Sequence, residues 1–158
     1  TDNLAGGIGD DTINGGRNND SIAGNGGNDL IFGDHGHDYI NAGDGNDSVN
    51  GGDGNDTIIG GAGNDAIFGA DGDDFINAGD GDDILIGGDG DDTLLGGTGN
   101  DLILGRDGKD NINGQGGGDT VAGNEGADSI IADPGEINEQ FSILTLGRSF
   151  LSKLGVKV

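Results

Sequence analysis

The sequence predicts an all-β chain wound as a parallel solenoid, two nine-residue units to a coil, followed by a short, helical C-terminal tail. Three observations predict it. The unit Gly-Gly-x-Gly-x-Asp-x-aliphatic-x runs without insertion through fourteen copies, from Gly6 to Ile131. Its Asp and its aliphatic residue keep register in every copy. The composition, with 39 Gly, 30 acidic and 6 basic among 158 residues and a net charge of -24, is wrong for an ordinary globular core and would otherwise suggest disorder.

Taken in order, Thr1 to Ala5 fill positions 5 to 9 of a copy whose loop is missing, so the chain starts within a repeat and we expect a longer array before it. The fourteen complete copies occupy 6–131, with Gly6 as position 1. Position 6 is Asp11, Asp20, Asp29, Asp38, Asp47, Asp56, Asp65, Asp74, Asp83, Asp92, Asp101, Asp110, Asp119 and Asp128. Position 8 is Ile, Val or Leu throughout, from Ile13 to Ile130. Position 4 is Gly except at Asn18, the residue type that next best tolerates a left-handed backbone. Position 1 is Gly except at Ala42 and Ala78.

Within one unit, the glycine-rich positions 1 to 6 read as a turn, and positions 7 to 9 as a three-residue strand. With side chains alternating, position 8 faces inward while 7 and 9 face out. Odd copies then form one parallel sheet and even copies the other, and seven coils stacked ~4.8 Å apart make a rod of roughly 34 Å. One inward aliphatic residue in nine is too little burial to offset the ordering of so glycine-rich a backbone. The loops therefore need a stabilising ligand, and the bare array should not fold stably.

Residues 132–158 leave the repeat. Asp133 and Glu136 have capping-box spacing, Pro134 sits at a first helical position, and Ile137, Phe141 and Leu144 follow at helical spacing. A strand over 141–146 is the alternative. Gly147 interrupts, Phe150, Leu151 and Leu154 make a second apolar face, and Arg148, Lys153 and Lys157 are three of the chain's six basic residues.

The charge excess opposes nucleic-acid binding, because it repels phosphate, and favours cations. The chain has no Cys, hence no disulfide or thiolate site. No apolar run approaches a membrane span, and the N-terminus does not read as a signal peptide. No Ser/His/Asp or Cys/His set is present, so enzyme activity is not expected. Of the 27 Asp, 25 lie at positions 2, 3, 5 or 6 of the complete copies. Glycine lets carbonyls turn inward, and stacked loops supply two Asp at a time. That donor set suits Ca²⁺, which takes 6–8 oxygens, better than Mg²⁺ with its stricter geometry. Zn²⁺ would want His or Cys, and His35 and His37 read as loop fillers. With a site between copies n and n+2, each edge has six sites, up to about twelve ions in all.

The pattern resembles the RTX (repeats-in-toxin, haemolysin-type) calcium-binding nonapeptide, which Gly51 to Ile59 and Gly87 to Leu95 match at every fixed position, and the resemblance covers residues 1–131. It implies a right-handed parallel β-roll with Ca²⁺ between neighbouring loops, held by the position-6 carboxylates and by carbonyls of positions 1 to 4. Carried over, these are the carbonyls of Gly51, Gly52, Asp53 and Gly54 beside Asp56, and likewise of Gly60, Gly61, Ala62, Gly63, Gly69, Asp71, Gly72, Gly79, Asp80, Gly81, Gly87, Gly88, Asp89 and Gly90. The resemblance also implies export from Gram-negative bacteria through type I secretion machinery, an extracellular or cell-surface location, and folding in millimolar calcium. Arg17, Asn18, Arg106 and Lys109 depart from the pattern, and copies 13 and 14 lose the second Gly, so the weakest sites are expected near the ends.

The two outer faces differ. The even sheet presents mostly Ser, Thr and Asn, whereas the odd sheet presents Leu30, Phe32, Phe68, Ile84, Ile86, Leu102 and Leu104. Such a stripe is too large for ordinary surface. Either the tail covers it or it is a lateral interface. The sequence thus predicts a calcium-responsive folding module of a secreted protein. The alternative is a self-associating scaffold of a filament, surface layer or matrix.

Overall fold

The computed structural model describes residues 1–131, and every regular element among them is a β-strand. In chain order these are β1 (Asn3–Ile8), β2 (Thr12–Arg17), β3 (Ser21–Gly26), β4 (Leu30–His35), β5 (Tyr39–Asp44), β6 (Ser48–Asp53), β7 (Thr57–Ala62), β8 (Ala66–Asp71), β9 (Phe75–Asp80), β10 (Ile84–Asp89), β11 (Thr93–Thr98), β12 (Leu102–Asp107), β13 (Asn111–Gly116), β14 (Thr120–Glu125) and β15 (Ser129–Ile131). The expected tail helix lies outside the described residues.

The strands sort by copy parity, as the nine-residue period requires. The partial copy and the even copies form an eight-stranded parallel sheet ordered β1-β3-β5-β7-β9-β11-β13-β15. The odd copies form a seven-stranded parallel sheet, β2 through β14. Register is eighteen residues throughout, as in Thr57↔Phe75 and Ile58↔Ile76, so equivalent positions stack in columns.

Strand length corrects the sequence reading. A full strand has six residues, not three: β7 runs from position 7 (Thr57) to position 3 of the next copy (Ala62). Gly60 and Gly61 therefore lie inside the strand, and only Gly-x-Asp at positions 4 to 6 turns the chain. Glycine is disfavoured in a strand unless backbone comes close to backbone. Here it does, because a Cβ on Gly61 would strike the Gly43 carbonyl of the coil below. Gly61 has φ 120° and bends the strand without breaking its ladder, since it still pairs with Gly79.

The lumen holds the core. Position-8 residues from Ile22 to Val121 interlock across the two sheets at 0–1 % exposure, with Ala42 and Ala78 of position 1 between them. Ile13, Leu4 and Ile130, at the two ends of the stack, are less covered. Position 8 points inward as predicted, and its column is continuous from coil to coil.

Candidate metal centre

Position 6 also points inward. From Asp20 to Asp119 these aspartates are 1–4 % exposed, as buried as the aliphatic ladder beside them. The positive φ of the position-4 glycine, 119° at Gly54, turns the chain so that position 5 faces solvent and position 6 the lumen. Two columns result, one on each edge. On the even edge the amides of Asp20, Asp38, Asp56 and Asp74 each donate to Oδ1 of the aspartate one coil on, at 2.8 Å. On the odd edge Asp29 donates to Asp47 at 2.7 Å, and Asp47 to Asp65 and Asp65 to Asp83 at 2.8 Å.

The other carboxylate oxygen has no such partner. Oδ2 of twelve of these residues, from Asp11 to Asp110, is buried without a hydrogen bond. Among the described residues no Lys or Arg side chain pairs with any of them; the only cation there is the Thr1 amino group, 3.6 Å from Asp20 Oδ1. A buried polar group without a partner is costly, and a buried charge without a counter-charge more so.

The carboxyl groups respond to this setting. Burial pushes Asp74 up to about 8, Asp65 and Asp92 up to about 7, and Asp56, Asp101 and Asp110 up to about 6. Burial comes first and stacked neighbouring carboxylates add to it, while the amide bond to Oδ1 acts in the opposite sense. Asp38, Asp47 and Asp83 are raised for the same leading reason.

What could satisfy Oδ2 follows from its surroundings. It lies over the α-carbon of the position-1 glycine of its own copy. A Cβ on Gly60 would come to 2.5 Å from both Asp65 Oδ2 and the Ala78 carbonyl oxygen one coil on. The same pair of oxygens faces Gly51 (Asp56 and Gly69), Gly69 (Asp74 and Gly87) and Gly87 (Asp92 and Gly105). Glycine, at position 1 of twelve copies, suits this close approach of the carboxylate, while Ala42 and Ala78 show that two copies accommodate a methyl there, fully buried.

The other predicted carbonyl donors are placed differently. At position 3, the carbonyls of Asp53, Ala62, Asp71, Asp80 and Asp89 accept the amides of Gly36, Gly45, Gly54, Gly63 and Gly72 at 2.7–2.9 Å, which leaves each one further lone pair. At positions 2 and 4, carbonyls press on the glycine of the next coil: Gly43 on Gly61, Gly61 on Gly79, Ala70 on Gly88, and Gly36, Gly45, Gly54, Gly63 and Gly72 on Gly54, Gly63, Gly72, Gly81 and Gly90. Gly52 meets Asp34 in the same way. Among the described residues no three His, Asp or Glu side chains converge as a metal-binding group. Any ion held here would therefore take much of its shell from backbone oxygen. Unpartnered carboxylate oxygens beside carbonyls form an all-oxygen set, and that fits Ca²⁺.

Sequence reading missed the position-5 ladder. The amides of Asn46, Asn64 and Asp82 donate to Oδ1 of Asn28, Asn46 and Asn64 at 2.7–3.0 Å. On the other edge His37, read above as a filler, accepts the Asn55 amide at Nδ1 (2.7 Å) and so takes the place of an Asn. The signal was visible: position 5 carries an Asn, Asp or His acceptor in each of the first eleven copies. His35 instead approaches Asp53 on the surface, at 2.7 Å.

Comparison with known families accords with this geometry. The model of the RTX calcium-binding nonapeptide repeat (4 copies) matches residues 1–31, 18–49, 41–76, 50–85, 68–103, 86–121 and 113–136. A comparison with curated proteins gives no match. The chain belongs to the RTX calcium-binding nonapeptide repeat family, whose repeats bind calcium in a parallel β-roll.

Proposed function

We propose that the chain is a calcium-dependent folding module of a secreted protein. The observation that carries this reading is the pair of buried carboxylate columns, in which twelve Oδ2 atoms from Asp11 to Asp110 are buried without a partner. The position-6 aspartates would hold the ions between stacked loops, with carbonyls of position 1 and, through remaining lone pairs, of positions 2 to 4. Up to about twelve ions fit one between each pair of stacked loops. Bound Ca²⁺ supplies positive charge and oxygen coordination that the protein's own side chains do not. Without it, the aspartates repel one another inside a thin core, and unfolding returns them to water.

Such a chain stays extended where calcium is scarce and folds where it is plentiful, which suits passage through type I secretion machinery to an extracellular or cell-surface location. The roll itself is a structural domain, and any enzyme, toxin or adhesin activity belongs elsewhere in the parent protein. Far-UV circular dichroism tests the folding claim. In EDTA the spectrum should be that of coil, and millimolar calcium should convert it to β; a β spectrum unchanged by EDTA refutes the proposal.

The alternative reading is a self-associating scaffold of a filament, surface layer or matrix. Light scattering at rising calcium separates the two: growing particles support a scaffold, and persistent monomers remove it.

A further inference from the structure

The outer face of the even sheet holds two aromatic rings in solvent. Tyr39 is 46 % and Phe75 39 % exposed, and both stand at position 7, where side chains point away from the lumen. Register puts them in one column: Tyr39 pairs with Thr57 and Thr57 with Phe75, so the rings are two coils apart. That step is about 10 Å at ordinary strand spacing. The next column runs Asn41, Ile59, Asn77 in the same register, so each ring has an amide two residues along its own strand and on the same face. Among the described residues neither of these side-chain amides has a hydrogen-bond partner. The step is also written into the sequence as a longer period of four copies. Tyr39-Ile40-Asn41-Ala42-Gly43-Asp44-Gly45 returns as Phe75-Ile76-Asn77-Ala78-Gly79-Asp80-Gly81, and Thr57 returns as Thr93. The core asks only for an aliphatic residue at position 8 and does not call for a ring outside it.

We propose that this face binds an extended, uncharged polysaccharide of β-1,4-linked sugars, with Tyr39 and Phe75 as its stacking platforms. The C–H face of a sugar carries slight positive charge and packs on the negative face of an aromatic ring. The Asn41 and Asn77 amides and the Thr57 hydroxyl donate and accept as sugar hydroxyls do. In a β-1,4 chain alternate sugars present the same side, and the length of one disaccharide matches the step between the two rings. No outward residue at positions 7 or 9 of this sheet is charged, while the chain as a whole carries -24. An uncharged polymer is therefore admitted, and an anionic one is repelled. A dry apolar partner fits worse, because it would bury the Asn41 and Asn77 amides unpaired. Binding needs the folded roll and is otherwise independent of how the loops hold their ions.

Tyr39 is the chain's only Tyr and there is no Trp, so tyrosine fluorescence reports on this face directly. In calcium, cellohexaose, a β-1,4 chain of glucose, should change that fluorescence saturably; maltohexaose, its α-1,4 isomer, which coils, should not. By calorimetry, Tyr39→Ala and Phe75→Ala should each weaken cellohexaose binding roughly threefold to tenfold and keep the β spectrum, since both side chains are exposed. Exchanging the pair, Thr57→Phe with Phe75→Thr, keeps the composition but brings the rings into adjacent coils, and it should weaken binding as much. No saturable response in the native chain, an equal response to the two sugars, or an affinity unmoved by loss or exchange of a ring overturns the proposal. So does a Tyr39 signal that follows protein concentration without sugar, which would identify a second copy as the occupant. Should a variant lose its β spectrum, the two sugars on the native chain decide. A roll that stayed β in EDTA would refute calcium-dependent folding and leave this test intact.

Discussion

The lumen contains two kinds of ladder, equally buried and opposite in character. Ile58, Ile67 and Ile76 are 0 % exposed, and Asp56, Asp65 and Asp74 beside them are 2–3 % exposed. Burial stabilises the first ladder outright. It destabilises the second, whose carboxylates are driven far above their usual range. A fold that buries both is therefore conditional. The aliphatic ladder sets which way the chain coils, and the carboxylate columns set when it does.

The two ladders should part under acid, and this is the largest effect expected. The folded-state values of Asp74 (about 8), Asp65 and Asp92 (about 7) and Asp56, Asp101 and Asp110 (about 6) exceed those of an unfolded carboxylate near 4. Raised groups bind protons better in the folded state. Their contribution is fully present below about pH 4 and is lost as pH rises through about 6 to 8. In EDTA, β signal followed by circular dichroism should therefore grow as pH falls from 8 toward 4. Calcium uptake, which competes with the proton, should weaken over the same range. Loss of structure on acidification would show that the columns are not the conditional element.

Next in size is the aliphatic ladder itself. Ile76→Ala should cost about 2–5 kcal/mol in calcium, as for other buried large-to-small changes, seen as a lower urea midpoint and little change in the steepness of calcium binding. Asp74→Ala should act the other way round. It removes the acceptor of the Asp56 amide, worth about 1–3 kcal/mol for a buried unpaired donor, and mainly raises the calcium needed for folding. Smallest is Asp53→Ala at exposed position 3, expected within about 0.5 kcal/mol. Equal calcium midpoints for the Asp74 and Asp53 variants would contradict the roles given to positions 6 and 3.

The period, the pairing of copies n and n+2 and the inward aliphatic residue were legible in the sequence because each rests on periodicity alone. Strand length was not. Glycine propensity argued against Gly60 and Gly61 as strand residues, yet the next coil supplies their ladder and leaves no room for a side chain. The inward turn of Asp56 was also hidden, because a carboxylate is expected to face water and only the backbone angle at Gly54 directs it otherwise. His37 was misjudged because its residue type drew notice, while its ring nitrogen does what an Asn oxygen does elsewhere in the ladder. The stripe was legible as apolar and too large for ordinary surface, and the structure gathers Ala66, Phe68, Ile86, Leu104 and Ala122 of it into a second cluster apart from the core.

The claim that cation entry and folding are one event has a direct test. Bound calcium is counted by equilibrium dialysis, and β content is read by circular dichroism on the same samples, across a calcium titration at neutral pH. The account predicts that both rise together, steeply and with one midpoint. A β signal complete before ions bind, or ions bound to a chain that remains coil, would contradict it.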